Sequence, residues 1–177
     1  MPLTLRFDRF HRDEDDNGPG IVANWCNDDG VTEFMATGRT WVKPEDAVRQ
    51  WGGPHSFLVY VGPDWWEQAE AVSVVGLFDQ DVWSDKAELR ILMGRRRGEG
   101  LGTQIVQAIL NYGFKHLGLW RIYLGTATEN IAAVRCFHKC GFRDEGLLVD
   151  DLKRGGRRFT NVRMAIMREE WDALQQG

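Results

Sequence analysis

Apolar and polar positions alternate along residues 3–10, LTLRFDRF, the two-residue period of a strand with one buried face. An acidic, glycine-containing loop follows at 11–20. IVANWC and VTEFM are then predicted as short helices, and Pro44 opens a helix through AVRQW that Gly52 and Gly53 close. Three strands come next: HSFLVYV at 55–61, EAVSVVGLFDQ at 70–80 and KAELRILMG at 86–94. The last places Ala87, Leu89, Ile91 and Met93 on one face. The period then lengthens. Between Thr103 and Gly118, Ile105, Ile109, Tyr112 and Leu117 recur at helical spacing, and Val106, Leu110 and Phe114 widen the stripe. LWRIYLGTA at 119–127 reads as a strand, and 129–142 as a shorter helix closed by Gly141. Residues 146–167 read as two strands around the Gly155–Gly156 turn. Strands and helices interleave throughout, so the expectation is an α/β fold with a mixed sheet in one domain, 1–177.

Composition changes this picture little. Apolar residues are 43% and charged residues 27%, ordinary for a globular protein. The net charge is −4, whereas a protein that coats nucleic acid is basic overall, so no nucleic-acid partner is expected. No apolar run approaches the ~18 residues of a membrane span. The N-terminus carries acids where a signal peptide needs an apolar core. Three cysteines, Cys26, Cys136 and Cys140, are too few for a disulfide framework and point to a reducing cytoplasm. No Cys/His cluster stands at zinc spacing, so no metal is expected.

One stretch concentrates the chemistry. MGRRRGEGLGT, 93–103, runs three arginines into glycines 98, 100 and 102 between a strand and a long helix. A dinucleotide fingerprint requires G-x-G-x-x-G and an acid about 20 residues on; the spacing is G-x-G-x-G and residue 118 is glycine. A P-loop requires a Gly-Lys pair, which the chain lacks. What remains is R-x-x-G-x-G, from Arg97 to Gly102. Glycines admit close backbone approach, and the first amides of the helix have no intrahelical partners, which suits a pyrophosphate.

With this loop, Asn130, Ala133, Phe137, Lys139, Gly141 and Phe142 in the pattern N-x-x-A-x-x-x-F-x-K-x-G-F, and the ending VRMAIMREEW like a last strand, the chain resembles the GCN5-related N-acetyltransferases. WCNDDGVTEFM resembles the first-helix region of their ribosomal-protein N-terminal acetyltransferase branch. The resemblance implies a mostly antiparallel sheet with a splayed central strand and flanking helices. It also implies acetyl-coenzyme A as co-substrate, an amine acceptor, and direct attack in a ternary complex. The coenzyme is then expected on Leu92, Met93, Gly94, Arg95, Arg97, Gly98, Gly100, Leu101, Gly102, Thr103, Asn130 and Lys139, with His138 and Arg96 nearby. Dimers are common in that branch, so a homodimer is expected.

Glu88 is the candidate base. It lies on one strand face with Arg90 and Leu92, and a catalytic glutamate stands at the matching position in histone-acetylating members. Asp79 and Asp81 are the reserves. Many members carry tyrosine where this chain has Phe137, so the group that protonates the leaving thiolate stays open among water, Tyr123, Cys136 and none. On the acceptor side, Trp25, Trp41, Trp51, Trp65, Trp66 and Trp83, with Asp13 to Asp16, Asp28 and Asp29, suit a cationic amine; each also reads as core or solvated loop. The acceptor is a small-molecule amine or a peptide N-terminus. The alternative is a catalytically weak coenzyme A-binding sensor or interaction module.

Overall fold

The computed structural model describes residues 4–10, 17–35, 41–63 and 69–176. Seven strands form one sheet in the order β1-β2-β3-β4-β5-β7-β6. They are β1 Thr4–Arg9, β2 Ser56–Gly62, β3 Glu70–Asp81, β4 Lys86–Met93, β5 Arg121–Ala127, β6 Arg143–Arg154 and β7 Arg157–Met167. Every neighbouring pair is antiparallel except β4 and β5. A parallel pair needs a long crossover, and helix α4, Leu101–Asn111, with a π-helical turn at Tyr112–His116, supplies it. The other helices are α1 Gly18–Cys26, α2 Asp29–Thr32, α3 Pro44–Trp51, α5 Ile131–Lys139 and α6 Arg168–Gln175.

The strand period sorts side chains onto two cores. Val75 and Leu77 of β3, Leu89 of β4 and Leu124 of β5 pack with Ile105 and Ile109 of α4 and Phe137 of α5. On the opposite face, Leu58, Val74 and Leu92 pack with Val22 and Trp25 of α1 and Ala47 and Trp51 of α3. The sheet is therefore covered from both sides where β4 crosses its centre.

Several boundaries differ from the pattern. Of VTEFM only Val31 and Thr32 are helical; the turn lies earlier than expected, at Asp29–Thr32, because the Asp28 carboxylate accepts the N–H of Gly30 (2.8 Å) and Val31 (3.3 Å). The long helix starts at Leu101, two residues before Thr103. β6 begins at Arg143 rather than Gly146. The last strand stops at Met167, whose amide donates to Glu170 (3.0 Å), and REEW opens α6, burying Trp171. Gly118 (φ +70°) and Gly141 (φ +95°) end their helices as expected.

Candidate active site

β4 and β5 pair only where Lys86–Glu88 meets Arg121–Tyr123. Beyond Glu88, β4 stays paired to β3 as far as Met93, and β5 stays paired to β7 as far as Ala127. Each strand thus remains extended while the two part. The gap between them opens into a cavity of about 1060 Å³ that Glu88 and Leu89 to Met93 line on one side and Leu124 to Thr126 on the other.

The backbone of β4 offers hydrogen-bonding groups to this gap, though not the ones expected. The Gly94 amide donates to Val72 O (2.9 Å). Every second amide of an antiparallel strand faces the same neighbour, so Leu92 and Gly94 turn to β3 while Ile91 and Met93 turn to the gap. Of Leu92, Met93 and Gly94, only Met93 presents its amide there, and Ile91 joins it. The strand period itself, which pairs 91 with 93, is the signal for Ile91. Gly94 answers to packing instead: a Cβ on it would lie 2.0 Å from the Trp25 indole.

The loop after β4 is shaped by backbone angles. Gly98 and Gly100 hold φ +85° and +81°, and a Cβ on either would meet nothing within 4 Å. Conformation, not space, requires glycine there. Gly100 is the N-cap of α4 and has no side chain to cap with, so the amides of Leu101, Gly102 and Thr103 have no intrahelical acceptor. Gly98, Gly100, Gly102 and Thr103 line the cavity, where those amides and the helix dipole favour an anion. Leu101 does not line the cavity; its side chain is in the core.

The three arginines separate. Arg95 turns away from the cavity to Glu70 (3.3 Å). Arg96 lines the cavity and holds Glu99 (2.6 Å), keeping that carboxyl below its usual range. Arg97 also lines it and donates to Gly30 O (2.5 Å), tying the loop to α2. Arg96 thus stands where Arg95 was expected. Asn130 accepts the Ala133 N–H (3.3 Å), capping α5, and with Lys139 lines the cavity; His138 pairs with Asp144 (2.8 Å) outside it.

Glu88 reaches the cavity from β4 on the face it shares with Arg90 and Leu92. Arg90 Nε donates to Glu88 Oε2 (2.6 Å), and its Nη2 donates to Asp79 Oδ2 (2.5 Å). The guanidinium rests 4.9 Å from the Phe78 ring centroid. Glu88 is thus clamped at one oxygen, while Oε1 has no partner among the described residues. Asp79 is committed to Arg90. Asp81 belongs to the β3–β4 turn, where it accepts the Ser84 hydroxyl (2.9 Å) and the Trp83 amide (3.0 Å); the Ser84 hydroxyl is the main reason its carboxyl is held low. Neither reserve lines the cavity. Of the two side chains considered as acid, Tyr123 lies between Arg121 and Arg163 and does not line it, whereas Cys136 does. The neighbouring Cys140 thiol is the chief reason the Cys136 thiol is held below the ordinary thiol range. Phe137 is buried against Phe142.

The opposite wall is made of side chains. Glu33, Phe34 and Met35 follow α2, Gln50 and Trp51 end α3, and Leu152 comes from β6. Two contacts hold the β6–β7 hairpin over α2: Arg154 to Asp29 (2.7 Å), and Phe159 edge-on to Phe34 with centroids 6.0 Å apart. Among the expected acceptor residues, Trp51 lines this wall. Trp25 is core, Trp41 and Trp83 are exposed, Asp28 caps α2 and Asp29 serves the hairpin. Asp13 to Asp16, Trp65 and Trp66 lie outside the described residues. Glu33, Phe34 and Gln50 carry no motif that singles them out. Among the described residues no group of acids, histidines and cysteines could hold a metal, and no helix is long and apolar enough to cross a membrane.

A family model described as an acetyltransferase (GNAT) domain matches residues 5–143, from β1 to the start of β6. The chain belongs to that family. Spermidine N(1)-acetyltransferase of Vibrio cholerae is 31% identical over 105 residues, 59% of this chain and 61% of that protein. The N-acetyltransferase p20 of Bacillus licheniformis, itself uncharacterized, is 29% identical over 160 residues, 85% and 88% of the two chains. The first match thus spans about six tenths of the relative's length. The crystal structure of spermidine N-acetyltransferase from Vibrio cholerae, in complex with CoA and spermine, superposes with a TM-score of 0.76 over 96% of this chain and 97% of that one, at 24% identity. These matches support the GNAT fold with its splayed central strand. Two of the three are named spermidine N-acetyltransferases and none is named a ribosomal-protein one, so the narrower branch does not follow from them.

Proposed function

We propose that this GNAT-family chain transfers the acetyl group of acetyl-coenzyme A to a primary amine of a small polyvalent amine. The observation that carries the reading is the continuity of one cavity from the uncapped N-terminus of α4, along the free edge of β4, to the Glu88 carboxylate. The three groups suit a pyrophosphate, an extended amide-bearing arm and an amine, in that order. Gly98, Gly100, Gly102 and Thr103, with Arg96, Arg97 and Lys139, would take the phosphates. The Ile91 and Met93 backbones would pair with the arm and face the thioester oxygen as its charge grows. The coenzyme supplies an activated acyl carbon; this chain supplies position and a proton acceptor. Glu88 Oε1 would take a proton from the bound ammonium, with Arg90 fixing the carboxylate, and the neutral amine so formed would attack the acyl carbon. The acyl C–S bond breaks as the C–N bond forms; the thiolate, only weakly basic, can leave without a side-chain acid and take up the second proton lost by the amine nitrogen.

A small polyvalent amine is favoured by the acceptor wall, where Glu33 and Glu88 face the same cavity as Phe34 and Trp51. It is also what similar proteins are named for: spermidine in the Vibrio cholerae relative, and aminoglycosides in the Klebsiella pneumoniae N(6')-acetyltransferase type 1, 31% identical over 85 residues, 48% of this chain and 37% of that one. A homodimer belongs to the same proposal. The outer edge strand β6 leaves Leu147, Leu148 and Val149 exposed, an apolar surface that a second copy would cover.

The test is thiol release from acetyl-coenzyme A with spermidine, kanamycin and a peptide with a free N-terminus. Release with a polyamine or aminoglycoside at least about tenfold above the peptide supports the proposal. Coenzyme binding with no release above background for any amine would favour a catalytically weak binding module.

A further inference from the structure

Two arginines from distant parts of the chain hold the short helix that carries the acceptor wall. α2 is a single turn, Asp29–Thr32, too short to be stable by its own hydrogen bonds. Arg154 of β6 reaches its first residue, Asp29 (2.7 Å), but that carboxylate is fully exposed, so the pair contributes little. Arg97, from the loop before α4, donates from Nη1 to Gly30 O (2.5 Å). A one-turn helix leaves most of its carbonyls without intrahelical donors, and Arg97 supplies one. Glu33, Phe34 and Met35 follow α2 directly and line the cavity, so the place of this wall depends on the place of α2.

The three loop arginines differ in how their charge is met. Arg95 holds Glu70 (3.3 Å) and Arg96 holds Glu99 (2.6 Å). Arg97 meets no carboxylate among the described residues, and its bond to Gly30 goes to a neutral carbonyl. A guanidinium carries five N–H donors in one rigid plane, and this bond uses one of them. Arg97 lines the same cavity as Gly98, Gly100 and Gly102. One planar group thus holds the acceptor-side helix at one corner and keeps an unneutralised charge, with further donors, for an anion in the cavity.

We propose that Arg97 is a positioning residue that couples the two halves of the site: a coenzyme phosphate bound to its remaining donors fixes the guanidinium, and through Gly30 O the guanidinium fixes α2 and the Glu33–Met35 wall. The inference rests on the transferase reading, because it takes the coenzyme to be the anion. The rotamer freedom of the long side chain is lost once, on coenzyme binding, so the amine meets a wall already ordered. The coupling is reciprocal: an amine that needs this wall in place tightens coenzyme binding by the same factor. The link runs through one backbone carbonyl, and the groups that would touch each ligand stay separate. Lysine at 97 would keep a charge for the phosphate but lose the planar fork that holds two acceptors at once.

The experiment follows amide hydrogen exchange of the full-length protein over residues 29–35, with and without saturating coenzyme A, whose binding calorimetry measures separately. In the wild type, exchange over 29–35 is expected to slow at least about threefold when the coenzyme binds. Arg97→Lys is expected to bind coenzyme A more weakly and, once saturated, to show no slowing over 29–35, while the amides of 101–103 slow in both proteins. Equal exchange over 29–35 in the free and the saturated wild type would overturn the proposal and leave Arg97 a static clamp. Slowing over 29–35 in saturated Arg97→Lys equal to that of the wild type would overturn it as well. A wild type that gives no heat with coenzyme A would overturn the transferase reading, and this inference with it; calorimetry tells that result apart from a failure of the coupling alone.

Discussion

Along residues 91–103 the groups facing the cavity are mostly backbone: the Ile91 and Met93 amides, the Gly98–Gly100 turn and the uncapped amides of α4. The opposite wall is side chains, with Glu33, Phe34, Gln50, Trp51 and Leu152 arriving from three separate parts of the chain. A backbone site constrains sequence through conformation, so it shows as glycine spacing in one contiguous stretch. A side-chain site assembled from distant segments tolerates many residue types, so it shows only after folding. The first wall suits a ligand common to a whole family, and the second suits one that differs between members.

The sharpest way to break this contrast is at Gly94, where the end of β4 packs on α1. Gly94→Val puts a Cβ 2.0 Å from the Trp25 ring that backs the acceptor side. Overpacking of this kind typically costs 1–3 kcal/mol, and a clash this close is expected to reach about 3 kcal/mol in urea unfolding. Combining it with Trp25→Ala should cost less than the sum of the two changes; strict additivity would mean that the contact is not the cause. Gly100→Ala comes next. It places a Cβ at φ +81°, a strain of about 1–2 kcal/mol. If the loop yields, coenzyme A affinity measured by calorimetry should fall several-fold while the acceptor KM holds. Smallest is Glu33→Gln. An exposed charge contributes about 0.2–1 kcal/mol, so the acceptor KM should rise about two- to five-fold with coenzyme affinity unchanged. A matching loss of coenzyme affinity would show that the two walls are not separate.

How much could be read in advance follows the same division. The strand and helix periods located all seven strands, and the R-x-x-G-x-G spacing located the helix N-terminus that lines the cavity. Glu88 was legible because strand alternation ties it to Arg90 and Leu92. The errors came from local bonds that periodicity does not encode. The Asp28 cap pulled α2 forward, Glu170 ended β7 and began α6, and Glu70 drew Arg95 out of the site. Glu33, Phe34 and Gln50 were not legible. Their common position depends on how α2, α3 and the β6–β7 hairpin pack, which the Arg154–Asp29 bridge and the Phe34–Phe159 contact decide across more than a hundred residues.

The measurement that bears most directly on the account is turnover of Glu88→Gln at saturating acetyl-coenzyme A and amine, paired with its coenzyme A dissociation constant. The amide keeps the shape and a hydrogen bond to Arg90 but cannot accept the ammonium proton. Glu88→Gln is expected to lower kcat by about 10²-fold or more with an unchanged dissociation constant. Turnover equal to wild type would contradict it.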